Sequence, residues 1–164
     1  MSSQRPPLHP IVVRAAGEQD LDAIADMEIE IARVSFGDEA IVDHAFHRKR
    51  VLDALGSGRE GLIVAVVEGT EDVCGWVWIS VRTNFLTHKP YGNLRSFAVA
   101  AGERGGAVSG LLFEAAVAFA RDHDVDEVVG RVHVSNLPMR ALYRELGFTA
   151  EHLTMRKRIA GGAD

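Results

Sequence analysis

Two runs decide how this chain reads. The first is Glu103-Arg104-Gly105-Gly106-Ala107-Val108-Ser109. The second is Asn136-Leu137-Pro138-Met139-Arg140-Ala141-Leu142-Tyr143-Arg144-Glu145-Leu146-Gly147-Phe148. The first is a glycine-rich turn between an apolar strand, residues 93–100, and an apolar helix, residues 108–121. Such a turn is a ready anion site, because its amides converge on a ligand and the helix N-terminus adds partial positive charge. Arg104 brings a full charge and a planar fork suited to phosphate oxygens. Adjacent glycines alone favour a flexible surface turn with a solvated Arg104; the flanking apolar strand and helix raise the anion-cradle reading.

The second run places Asn136 at a strand end, where it caps the next helix. Pro138 is tolerated in a first turn. Gly147 fits the left-handed position after the helix, with Phe148 packing back. Tyr143 lies about two turns into that helix. By base rate a helical Tyr is a core aromatic with its hydroxyl at an edge.

Working outward, Ile11–Arg14 reads as a first strand after a loose arm, residues 1–10. Asp20 offers an N-cap, and Leu21, Ile24 and Ile31 mark one face of a helix. A second helix is expected over residues 38–55, ended by Gly56-Ser57-Gly58. Residues 62–67 and 74–82 form an antiparallel hairpin by composition, and Thr83–Gly92 a longer loop. The valines of residues 126–134 are dense enough to place that strand inside the sheet. Residues 151–159 read as a last strand. Together these elements predict a single-domain α/β fold over residues 11–160: a mixed, mostly antiparallel sheet with helices on both faces.

The block 94–148 resembles the GNAT acetyltransferase superfamily, whose acyl-CoA loop has the pattern Gln/Arg-x-x-Gly-x-Gly/Ala. Arg104, Gly105 and Gly106 take the first positions; Ala107 and Ser109 stand where the family glycines belong. Phe97-Ala98-Val99 matches the strand ahead of that loop, and the run from Asn136 to Phe148 matches the family's later motif without a gap. Over residues 11–82 the likeness is looser, with Arg14 and Asp20 placed as in many members.

The resemblance implies a GNAT-like acyl-CoA N-acyltransferase fold and acetyl-CoA as co-substrate. It assigns cofactor binding to Phe97, Ala98, Val99, Arg104, Gly105, Gly106, Ala107, Val108, Ser109 and Asn136, with Asn136 near the pantetheine arm. It gives Tyr143 the role of general acid for the departing thiolate; an ordinary phenol is protonated at neutral pH. A backbone amide near Val99 would steady the oxyanion. Residues 91–99 hold no Asp or Glu, so the amine's proton is left to Glu28, Glu30, His133 or a water relay. The implied acceptor is a small-molecule or peptide amine, lined by residues 33–45 and 84–93, which include Glu39, Asp43, His44, His88 and Tyr91. Ala107 would be strained if its φ were positive, and Ser109 could cap the helix or donate to a phosphate. These two departures motivate a rival: the same fold kept as a CoA sensor or interaction module with little catalysis.

Composition bounds the rest. The chain has 164 residues, 47% hydrophobic and 25% charged, ordinary for one soluble domain. Its formal net charge of −5 disfavours nucleic acid. Cys74 is the single cysteine, so no internal disulfide is expected, and its strand setting favours a small buried hydrophobe. His44, His47 and His88 match no common metal spacing. Trp76 and Trp78 share a strand face, read as core under a helix or, second, as a cleft wall or dimer surface. No apolar run approaches the ~20 residues of a membrane span, and the start lacks a secretory apolar region, so a cytoplasmic location is the expectation. A homodimer is compatible with this reading.

Overall fold

The structure, a computed structural model, describes residues 9–103 and 106–160. Its elements are β1 (Ile11–Ala15), α1 (Leu21–Phe36), α2 (His44–Ala54), β2 (Glu60–Val67), β3 (Val73–Thr83), β4 (Pro90–Val99), α3 (Val108–Asp122), β5 (Val128–Gly130) and α4 (Leu137–Glu145). The strands form one sheet in the order β1-β2-β3-β4-β5. The first three pairings are antiparallel and β4–β5 is parallel, the mixed sheet that the sequence predicts.

Period-two alternation sends apolar side chains to both faces. On one face Leu62, Val64, Val66, Trp76 and Trp78 bury against Leu21 and Ile24 of α1 and Val51 and Ala54 of α2. On the other, Ile63, Val77, Ile79, Leu94 and Phe97 meet Val108, Leu112, Ala116 and Ala120 of α3 and Tyr143 of α4. Trp76 and Trp78 are buried under helices, as core packing requires. Cys74 is buried too, its thiol donating to the Ala65 carbonyl at 3.3 Å. Burial, with the nearby Glu103 charge, pushes that thiol up from its ordinary value.

Two irregularities position the site. Opposite β3 the register slips: Trp78 faces Ser96, but Ile79 faces Leu94. Arg95 is therefore an extra residue, a β-bulge, which bends a strand and re-aims side chains. This is why Leu94 and Phe97, three apart, both reach the α3 face. On the other side of β4, pairing with β5 runs only from Gly92↔Val128 to Leu94↔Gly130. Past that point the parallel strands separate, leaving residues 95–99 along an opened edge.

Five expectations need correction. The helix expected over residues 38–55 begins only at His44, because Asp43 caps it through the Phe46 N–H and residues 40–43 ahead of it are not helical. The strand expected over residues 126–134 is three residues long and lies at the sheet edge, with Val129 and Val134 exposed. Its continuation turns away instead: the Asn136 N–H donates to the His133 carbonyl at 2.9 Å and Arg140 Nη1 to the Val134 carbonyl at 2.9 Å. The last strand over residues 151–159 does not form. Leu153, Met155 and Ile159 alternate as in a strand but stay exposed, because the adjoining chain has already left the sheet and offers no ladder to join. The loop expected over residues 83–92 shrinks to residues 84–89, since β3 and β4 pair out to Thr83↔Pro90. Finally, Asp20 stands at the N-cap of α1 without making a side-chain cap bond. Its carboxylate instead accepts from Arg14 at 2.7 and 3.0 Å and from the Gly17 N–H at 2.9 Å.

Candidate active site

The fork between β4 and β5 lies beside Tyr143 and the Phe97-Ala98-Val99 stretch that the sequence singles out. Helix α4 is fixed at its start by Asn136, whose Oδ1 accepts from the Met139 N–H at 3.2 Å. At its end Gly147 takes φ +89°, the left-handed turn that glycine permits without strain. Phe148 then folds back, donating its N–H to the Tyr143 carbonyl at 2.9 Å. Its ring stacks on Tyr143 at 4.8 Å and on Phe113 at 5.4 Å. Tyr143 is thus clamped, with 9% of its surface exposed.

Gly130, the last residue of β5, sits under the Tyr143 hydroxyl. A Cβ there would lie 2.9 Å from that oxygen, closer than real Cβ contacts allow. Gly130 pairs with Leu94, so the phenol lies against the point where the strands part. Burial pushes its pKa up to about 12. The side chain is a protonated donor throughout the neutral range.

Arg104 and Gly105 lie outside the described residues. The rest of the turn leads into α3 through Gly106, whose N–H donates to the Glu103 carbonyl at 3.1 Å. Ala107 precedes α3 with φ −74° and ψ −12°, so its methyl group carries none of the strain that a positive φ would impose. Ser109 is buried and donates to the Gly106 carbonyl at 3.5 Å. Leu111 bonds back to the Ala107 carbonyl at 3.1 Å. The amides ahead of it belong to the first turn, which finds no acceptor within its own helix. Val108, Ser109 and Gly110 therefore stand at an N-terminal anion position. Phe97, Ala98 and Val99 lie along the opened edge of β4.

The proton-acceptor candidates separate. Glu28 is buried, accepting from Trp76 Nε1 at 2.8 Å, with Arg50 Nη1 3.7 Å from its other oxygen. His133 is exposed, and its Nδ1 lies 2.6 Å from Ser135 Oγ. Glu30 lies on the same helix as Glu28. Around the expected acceptor segments, Ser35, Phe36, Glu39 and His133 line a cavity of about 320 Å³ with Arg156 and Arg158. Asp43 caps α2 through the Phe46 N–H at 3.2 Å. His44 sits 3.6 Å from Asp26. His88 takes φ +58° in the β3–β4 turn, and Tyr91 belongs to β4.

Sequence reasoning missed one cluster. A second cavity, about 340 Å³, is lined by Arg50, Asp53, Glu60, Trp78 and Arg95 among others. Arg95 stacks over the Trp78 ring at 4.0 Å, and Arg50 approaches it at 5.3 Å. Glu60 accepts from Trp78 Nε1 at 2.7 Å and from Ser80 Oγ. The available signal was an arginine inside the apolar run from Leu94 to Val99, where a solvated charge has no obvious place.

The architecture is that of solved acetyltransferases. A putative acetyltransferase from Pyrococcus furiosus superposes with TM-score 0.72 at 23% identity, over 92% of this chain and 100% of that one. The aminoglycoside antibiotic 6'-N-acetyltransferase AAC(6')-Ih from Acinetobacter baumannii gives 0.70 at 15% identity, over 93% and 100%. A tetramutant of the BH1408 protein from Bacillus halodurans gives 0.81 at 20%, over 90% and 99%. At such identities the likeness establishes the fold. The family is established by sequence: residues 21–148 match the model of the Acetyltransferase (GNAT) family. The chain belongs to that family and is an acyltransferase. No curated protein sequence matches it.

Proposed function

We propose that this chain transfers an acetyl group from acetyl-CoA directly to a primary amine of a small molecule or a peptide N-terminus. The observation that carries the reading is the fork itself: β4 leaves β5 after Leu94↔Gly130, and the clamped Tyr143 hydroxyl lies at that point. A thioester arm entering the fork would run beside Phe97, Ala98 and Val99, with its pyrophosphate toward the first turn of α3. Arg104, Gly105, Gly106, Ala107, Val108 and Ser109 form the phosphate cradle in this reading. Asn136 holds α4 through its oxygen, which leaves its NH₂ group to donate to the arm.

The amine nitrogen attacks the thioester carbonyl, a C–N bond forms, and the C–S bond breaks. Tyr143 gives its proton to the departing sulfur, and the nitrogen loses one to solvent or a relayed base. Tyr143 keeps its proton throughout the working range, so a donor is in place for the leaving sulfur, while burial makes it a weaker acid than an ordinary phenol. A non-catalytic CoA sensor was motivated by Ala107 and Ser109; the ordinary helical backbone of Ala107 removes the strain part of that motive.

A thermal melt tests the co-substrate. Acetyl-CoA binding only the folded form raises Tm, and Arg104→Ala should shrink the shift through loss of a charged phosphate contact of roughly 1.5–3 kcal/mol. No shift at millimolar acetyl-CoA would reject the assignment.

A further inference from the structure

The cavity under α2 is lined by two arginines, Arg50 and Arg95, and two carboxylates, Asp53 and Glu60, and it reaches the fork at Arg95. Its central group is Arg95, the bulged residue, one position beyond the last β4–β5 pair. Tyr143 lies on the α3 face at that pair, and Arg95 lies on the opposite face over Trp78. Groups on the two faces therefore flank one point of the sheet.

The carboxylates nearby are already committed. Glu60 holds Trp78 Nε1 and Ser80 Oγ with one oxygen, and its other lies 3.7 Å from Arg82 and 4.0 Å from Arg95. Glu28 holds Trp76 Nε1 and lies 3.7 Å from Arg50. Asp53 is paired with Lys49 at 2.5 Å. Among the described residues, no acceptor comes within hydrogen-bond distance of the Arg95 or Arg50 guanidinium. Burial lowers the Arg95 pKa from its ordinary value, with Glu60 opposing, yet a guanidinium stays charged in a protein. Two forks on one indole platform, partly desolvated and held only in long ion pairs with Glu28 and Glu60, can offer donors to the two oxygens of a carboxylate.

We propose that this cavity binds the carboxylate of the acceptor, so that the substrates are amines carrying a carboxyl group, as free amino acids do. This inference rests on the amine-acetylation reading and narrows it. It sets the chain apart from enzymes whose acceptors are polycations, because a polycation would bring positive charge onto Arg50 and Arg95.

The test is a matched panel: common amino acids, their primary carboxamides, and an aminoglycoside as polycation, with thiol release from acetyl-CoA followed. The acids should exceed their amides in kcat/KM by about 10- to 100-fold, the range of a charge-assisted contact. Arg95→Met should abolish that preference by raising KM for acids about 10- to 100-fold more than for amides, and Arg95→Lys should restore part of it. Calorimetry with N-acetylated amino acids against their amides gives a readout independent of turnover. Amides or the aminoglycoside accepted as well as acids, or a preference that survives Arg95→Met, would overturn the proposal. If no amine in any arm is acetylated, the transfer reading fails, and the calorimetric pair still decides the cavity's preference.

Discussion

At the scale of single residues the account turns on Tyr143 and the glycine beneath it. Tyr143→Phe removes one hydroxyl and keeps the ring on Phe148, so Tm and CoA affinity should hold. Turnover should fall toward the ~10²-fold end of what a positioned general acid supplies, since water can protonate a thiolate in its place. The loss should appear in kcat and kcat/KM together; a wild-type rate with chemistry limiting would return Tyr143 to a packing role. The raised pKa adds a pH signature. An ordinary phenol begins to ionise near pH 10, whereas this one is held to about 12, so kcat should show no falling limb from Tyr143 up to about pH 10.5. Stability should decline between about pH 10 and 12, because there the unfolded chain has released a proton that the folded one retains. Gly130→Ala probes the same contact from below. Its Cβ would meet a hydroxyl that Phe148 prevents from swinging aside. Overpacking of about 1–3 kcal/mol should lower Tm by roughly 2–12 °C, and turnover should fall with it. A Gly130→Ala variant with unchanged Tm and rate would show that Tyr143 has room to move.

Among elements, the entry to α1 carries an acid-sensitive pair. Burial alone would raise the Asp20 carboxyl, but the Arg14 fork and the Gly17 N–H outweigh burial and hold it below the usual value. An unfolded Asp titrates near 3.9. The stabilisation from this depressed pKa is complete above that value and fades as pH falls through the lower folded one. Asp20→Ala should cost about 1–3 kcal/mol near neutrality, read as a lower midpoint in urea. That difference from wild type should narrow as pH drops from about 5 to 2; a gap unchanged over that window would contradict the pairing. Elements also show what sequence reading reached. The helix over residues 137–145 was legible because its signals are local: a cap at Asn136, a tolerated Pro138, a left-handed Gly147. Strand β5 was misplaced because valine density reports apolarity, not position. Whether a strand lies inside the sheet depends on what pairs beyond it, and residues 151–160 leave that edge open.

For the whole molecule, the sheet works as a partition. The α3 and α4 face carries Tyr143, and the α1 and α2 face carries the tryptophans, the glutamates that accept from them and the arginines over Trp78. The fork between β4 and β5 joins them. The mixed sheet and the strand–turn–helix ahead of α3 were readable, since each rests on patterns within a few tens of residues. The cluster of Arg50, Glu60, Trp78 and Arg95 was not, because its members come from four separate elements and meet only through the register slip at Arg95. The most direct measurement is mass spectrometry of the purified chain's reaction with acetyl-CoA and a panel of primary amines, with free CoA counted alongside. The account predicts at least one amine gaining a single acetyl group with one CoA released per product, at a rate that collapses in Tyr143→Phe. Acetyl-CoA that binds and shifts Tm, yet leaves every amine unmodified, would contradict it.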